Sequence, residues 1–210
     1  MKKAWPQTAR YGTALLWATT LGIGYAQAGS VHIEVQSPTG LPLAQAVVYL
    51  ESAQARRQVK PLPRLEMAQE KKRFVPQVLV VPVGSEVSFP NQDTVRHHVY
   101  SFSAAKKFEL KLYSGTPADP VRFEQPGVVV LGCNIHDQMV GWIVVVETPY
   151  YGQTAAHTGR VQIDHVPAGN YRLRVWHPRL PIDAPATDQA LTVGATDTVS
   201  ATVQLQELTP

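Results

Sequence analysis

The feature that most constrains this chain is how its apolar residues arrive: in short runs rich in Val, Ile, Tyr and Phe, each cut off by Pro, Gly, Asn or Asp. Val31–Val35, Ala46–Leu50, Val78–Val81, Glu86–Phe89, Val99–Phe102, Gly127–Leu131 and Trp142–Val146 are of this kind. Arg160–Ile163, Tyr171–Trp176 and Val199–Leu205 continue the pattern. Runs of that length and composition between turn residues read as strands. Seventeen prolines discourage long helices, and outside the N-terminus no stretch holds a helical period. The expectation is an all-β chain, with sandwiches as the architecture that uses so many short strands.

The N-terminus is different. Lys2, Lys3 and Arg10 precede an apolar and small-residue run from Ala14 to Ile23, which ends in Ala26-Gln27-Ala28. A basic start, a short apolar middle and a small-x-small exit describe an export signal, residues 1–28, cleaved after Ala28. Threonines and glycines break the run, which falls short of a membrane-spanning helix. Those three cations account for the whole formal charge of +3, because 16 of the 19 Lys and Arg then face 16 Asp and Glu. A neutral mature chain gives no reason to expect a nucleic-acid partner. The basic stretch from Arg56 to Arg73, interrupted by Glu66 and Glu70, reads as a solvated face or loop.

An exported chain lives where disulfides form, yet Cys133 is the only cysteine. A lone thiol there must be buried or bound. Its surroundings are Cys133-Asn134-Ile135-His136-Asp137-Gln138-Met139, between one β-run ending at Leu131-Gly132 and another starting near Val140. Thiol, imidazole and thioether therefore share one tight loop. Thiolate and two imidazoles with a weak thioether suit copper in both its oxidation states. A second imidazole has to come from elsewhere, and Asn91 to Val99, with His97 and His98, lies between two strand runs. Side chains alternate along a strand, so the two histidines cannot easily face one ion; the choice between them stays open. Zinc also accepts thiolate and imidazole. His32, His157, His165 and His177 lie far along the chain without a paired motif, and Phe123, Trp142 and Trp176 read as core.

On these residues the chain resembles the cupredoxins, the family of plastocyanin and amicyanin, over residues 62–148. In that family an Asn precedes the first histidine ligand by six positions, as Asn91 precedes His97, and the Cys133, His136, Met139 spacing is similar to the short ligand loop of amicyanin. Phe74-Val75-Pro76, then Val78 to Phe89 with Gly84 at a turn, resembles the family's opening strands. The segments HHVYSFS, FELKLY and LGCNIHDQMVGWIVVVETPYY are similar to exported cupredoxin-domain proteins often labelled methylamine utilisation proteins. The resemblance implies a Greek-key β-sandwich and one type 1 copper ion held by His97, Cys133, His136 and Met139. It also makes His136 the solvent-side electron port, with Val140 and its neighbours as a small apolar docking patch.

The rest of the chain resembles a carboxypeptidase regulatory-like, or transthyretin-like, β-sandwich. Thr158–Ile163 and Val166–Val175, with Gly169-Asn170-Tyr171 at a hairpin, carry its later strands; Val31–Val35, Gly40 and Pro42–Leu50 carry its opening. The resemblance implies a second, small sandwich made of residues 29–57 and 149–210, with the first domain inserted into it. The simpler alternative is that the N-terminal strands extend the cupredoxin sheet. The expected function is a periplasmic electron carrier or electron-transfer module that works with a redox protein partner and is not an enzyme; a copper-binding or copper-delivery protein is the alternative.

Overall fold

The computed structural model describes Met1 and residues 28–209, so the expected export signal lies outside the described residues except at its two ends. In chain order the first elements are β1 (Ala28–Gln36), β2 (Val47–Glu51), α1 (Ala53–Gln58), β3 (Leu65–Glu66), β4 (Ala68–Glu70), β5 (Arg73–Val75), β6 (Val78–Pro82), β7 (Glu86–Ser88) and β8 (His97–Ser103). They are followed by β9 (Lys106–Tyr113), β10 (Val121–Arg122), β11 (Gly127–Cys133), β12 (Val140–Val146), β13 (Tyr151–Gln153), β14 (Arg160–Pro167), β15 (Gly169–Trp176), β16 (Gln189–Val193) and β17 (Thr198–Gln204). Among the described residues the fold is all-β apart from one short helix. That helix has no periodic stripe to announce it; Ser52 caps it by accepting the Ala55 amide at 3.0 Å. No helix among the described residues is long and apolar enough to cross a membrane.

Strands β6, β12, β11, β8 and β9 form one five-stranded sheet in that order, with β6 and β12 parallel and the other pairs antiparallel. Across from it lie the small sheet β10-β7-β3 and the β4-β5 pair. Between them Phe74, Phe89, Phe123, Leu131, Ile143 and Met139 are buried together with Cys133. A second pair of sheets, β14-β1-β17 and β13-β2-β15-β16, encloses another core of Val31, Ile33, Val35, Leu50, Leu173 and Val175. Alternation accounts for β1, where inward Val31, Ile33 and Val35 interleave with outward His32, Glu34 and Gln36.

Two runs that do not alternate mark where the sandwiches meet. In β2, Val48 and Leu50 enter one core while Val47 and Tyr49 turn to the other side. In β12, Ile143 and Val145 enter the first core while Val144 and Val146 turn outward. The outward residues pack on one another with Val78 and Trp176, so both strands are covered on both faces and must be apolar throughout. Trp142 and Trp176 face each other there at 6.4 Å.

Candidate metal centre

Three strand ends converge at one end of the five-stranded sheet. β8 begins at His97, β11 ends at Cys133, and β12 begins just past Met139. Antiparallel pairing sets Cys133 against Val99 and Gly132 against Tyr100. The intervening loop turns twice, through His136 N–H to the Cys133 carbonyl at 3.4 Å and Met139 N–H to the His136 carbonyl at 2.9 Å. Each turn advances three residues, which returns residues 133, 136 and 139 to one side of the loop.

The donors meet there. Cys133 Sγ lies 3.6 Å from His97 Nδ1 and 3.8 Å from His136 Nδ1. All three donor atoms fall within 4.8 Å of one another, and the two rings are 5.0 Å apart. Metal bonds of about 2.3 Å to sulfur and about 2.0 Å to nitrogen, opened by a tetrahedral to trigonal angle, separate such donors by roughly 3.5–3.8 Å. The cluster fits a metal ion without rearrangement. Met139, 1% exposed, packs in the same buried cluster as Cys133. His97 is 0% and Cys133 4% exposed, whereas His136 is half-buried beside Ile135, which is 49% exposed.

His97 is held from behind. Its Nε2 lies 2.8 Å from an Asp93 carboxylate oxygen. An ionised carboxylate only accepts, so Nε2 carries the proton and Nδ1 keeps its lone pair facing Cys133. Asp93 also accepts the Lys71 amide at 2.6 Å and the Lys72 amide at 2.9 Å. Desolvation pushes its carboxyl up, but the Lys72 amide, the His97 imidazole and the Lys71 amide together hold it below the ordinary carboxylate value. Asn91 fixes the same loop: its Nδ2 donates to the Val95 carbonyl at 2.8 Å and the Tyr113 carbonyl at 3.0 Å, and its Oδ1 accepts the Asp93 amide at 2.9 Å.

The structure thus brings His97, Cys133 and His136 together and leaves His98 outside. The His98 ring turns to the other face of β8, where Nε2 lies 2.8 Å from Glu109. Its backbone still serves the site, because the His98 carbonyl accepts the Asn134 amide at 3.2 Å and ties the two ligand segments together. Asp93 is the residue that sequence reasoning missed; its place four residues before His97 was the available sign. His177 lies remote from the cluster, its Nε2 3.0 Å from the Ala44 carbonyl, and Phe123 is core.

No family model matches the chain, and no curated protein matches it. Among solved structures it is similar to a purple cupredoxin from Nitrosopumilus maritimus, at 23% identity and a TM-score of 0.35, over 40% of this chain and 100% of that one. It is similar to a copper-containing nitrite reductase from Thermus scotoductus at 24% identity and a TM-score of 0.38, over 53% of this chain and 28% of that one. A reduced amicyanin variant matches at 23% identity and a TM-score of 0.35, over 49% of this chain and 99% of that one.

Proposed function

We propose that this chain is an exported, periplasmic type 1 copper protein that carries single electrons between redox proteins and catalyses no reaction itself. The observation that carries the proposal is a buried cysteine sulfur flanked by two imidazole nitrogens at 3.6 and 3.8 Å, with a buried methionine in the same cluster. His97, Cys133, His136 and Met139 would hold the ion. Bound there, copper supplies a one-electron Cu(I)/Cu(II) couple.

The protein's part is to keep the donors where they stand. The Asp93 carboxylate fixes the tautomer and angle of His97, and β11–β8 pairing fixes Cys133. A donor set positioned before the metal arrives has little to rearrange when charge changes. Burial shields the Cys133 sulfur from solvent and oxidants, while half-buried His136 gives the site one edge toward the surface, as an electron port requires. Residues 62–148 form the cupredoxin domain in this reading. Residues 29–57 with 149–210 form the second sandwich, supported by β1 and β2 pairing with strands that follow residue 149.

Copper delivery is the competing account, and it needs a site that opens on reduction. Voltammetry of the copper-loaded chain, repeated with a Cu(I) chelator present, separates the two. A carrier gives a reversible one-electron wave and keeps its metal. Loss of copper to the chelator on reduction would establish delivery instead.

A further inference from the structure

The outer face of the five-stranded sheet is apolar well beyond the part that the second sandwich covers. Val78 on β6 and Val144 and Val146 on β12 are buried against Val47, Tyr49 and Trp176. On β8 the same face continues through Tyr100 and Phe102, whose rings lie 5.2 Å apart, and there no described residue covers it: Phe102 is 77% exposed. Large exposed aromatic surface next to an existing apolar interface marks a contact region.

The inner end of this patch reaches the metal centre. Tyr100 pairs with Gly132, and its ring fills the space a side chain there would need; a Cβ on Gly132 would stand 2.8 Å from Tyr100 Cζ and Oη. Cys133 is the next residue. The rim is basic. Lys107 pairs with Phe102 across the strands and Lys111 lies on the same strand, whereas Lys106 pairs with Ser103 on the opposite face. Neither Lys107 nor Lys111 is in an ion pair among the described residues. The intervening acid, Glu109, is bound to His98, and Glu124, beside Lys106 and Lys107, is in no ion pair among the described residues.

We propose that the uncovered half of this face is the docking surface for an acidic redox protein, with Tyr100 and Phe102 at its centre and Lys107 and Lys111 at its rim. The apolar centre continues an interface the fold already uses, and the cations select a partner with carboxylates around its own apolar contact. That the partner exchanges electrons rests on the copper reading; the surface itself does not. This site lies on the flank of the sheet, apart from the half-buried edge of His136.

The surface is mapped first on the metal-free chain, by amide resonances titrated with hexacyanochromate(III), a paramagnetic and redox-inert trivalent anion. Broadening is expected at Phe102, Lys107 and Lys111, and is abolished when the two lysines become Glu. Broadening centred on the 134–139 loop or on Arg57 to Arg64, or none at all, would overturn the proposal. Sedimentation of the same sample should show a monomer; a dimer that Phe102→Glu dissociates would put a second copy on this face instead. In the copper-loaded chain, hexacyanoferrate(III) takes one electron from the reduced site and becomes hexacyanoferrate(II). That rate should fall about tenfold in the double lysine variant and stay unchanged in Arg57→Glu/Lys60→Glu, which alters the same charge elsewhere. Equal slowing in both would refute the assignment. A chain that takes up no copper still yields the anion map, so failure of the copper reading is seen separately.

Discussion

Replacing Asp93 by Asn tests whether the site is built before the metal arrives. The carboxylate accepts three hydrogen bonds, from the Lys71 amide at 2.6 Å, the Lys72 amide at 2.9 Å and His97 Nε2 at 2.8 Å. Asn offers one accepting oxygen and one NH2 in the same space, so at least one of those donors would face another donor. Losing a hydrogen bond to a charged group costs about 1.5–3 kcal/mol. In a protein of this size that lowers the midpoint of thermal unfolding by about 3–12 °C. Copper affinity should fall as well. Groups that orient a metal-bound histidine are typically worth about 10- to 100-fold in affinity, or about 1.4–2.8 kcal/mol. Competition titration against a chelator of known affinity measures the second effect, and calorimetry of the metal-free chain the first. Asp137→Asn, on the exposed part of the ligand loop, is the control. Affinity within twofold of the wild type, at an unchanged melting temperature, would refute the orienting role of Asp93.

Met139→Leu should cost less than about 1.5 kcal/mol, because volume is kept, while shifting the copper spectrum; Met139→Ala should cost about 2–5 kcal/mol by urea unfolding. Equal spectra for Met139→Leu and the wild type would argue that Met139 only packs. Gly132→Ala should destabilise by about 1–3 kcal/mol through its clash with the Tyr100 ring, and Tyr100→Ala in the same chain should relieve part of that loss. Burial holds His177 below the ordinary histidine value, against an opposing hydrogen bond to Ala44, with the Arg179 cation adding to the lowering. The folded chain then binds fewer protons than the unfolded one, so stability present above about pH 6.5 is lost as pH falls from there. His177→Gln should flatten that slope in urea midpoints measured between pH 7.5 and 5; an unchanged slope would exonerate His177.

The donor loop was legible in the sequence because Cys133, His136 and Met139 are local to one another, and local spacing survives folding. Their partner was only half legible. Alternation on β8 forbids both histidines from facing inward without saying which one does, and only the resemblance, through the Asn91 spacing, points to His97; the structure turns His97 to Cys133 and His98 to Glu109. Asp93 was hidden because its role depends on the loop that brings Lys71 and Lys72 against it. Strands made of uniform apolar runs are legible in the same way. β9 was not among them, because four charged residues in Lys106–Tyr113 mask the inward Phe108 and Leu110 of a sheet-edge strand. The continuous runs of β2 and β12 were seen as strands, yet their reason, cover on both faces, belongs to the meeting of the two sandwiches.

The most direct test of the central claim is the visible spectrum of the chain titrated with Cu(II), beside Cys133→Ser. An intense blue, green or purple band at one equivalent, absent from the Ser variant, is the result this account predicts, because only a thiolate–copper bond at Cys133 produces it. A colourless protein, or a band that survives loss of the sulfur, would contradict the type 1 copper centre.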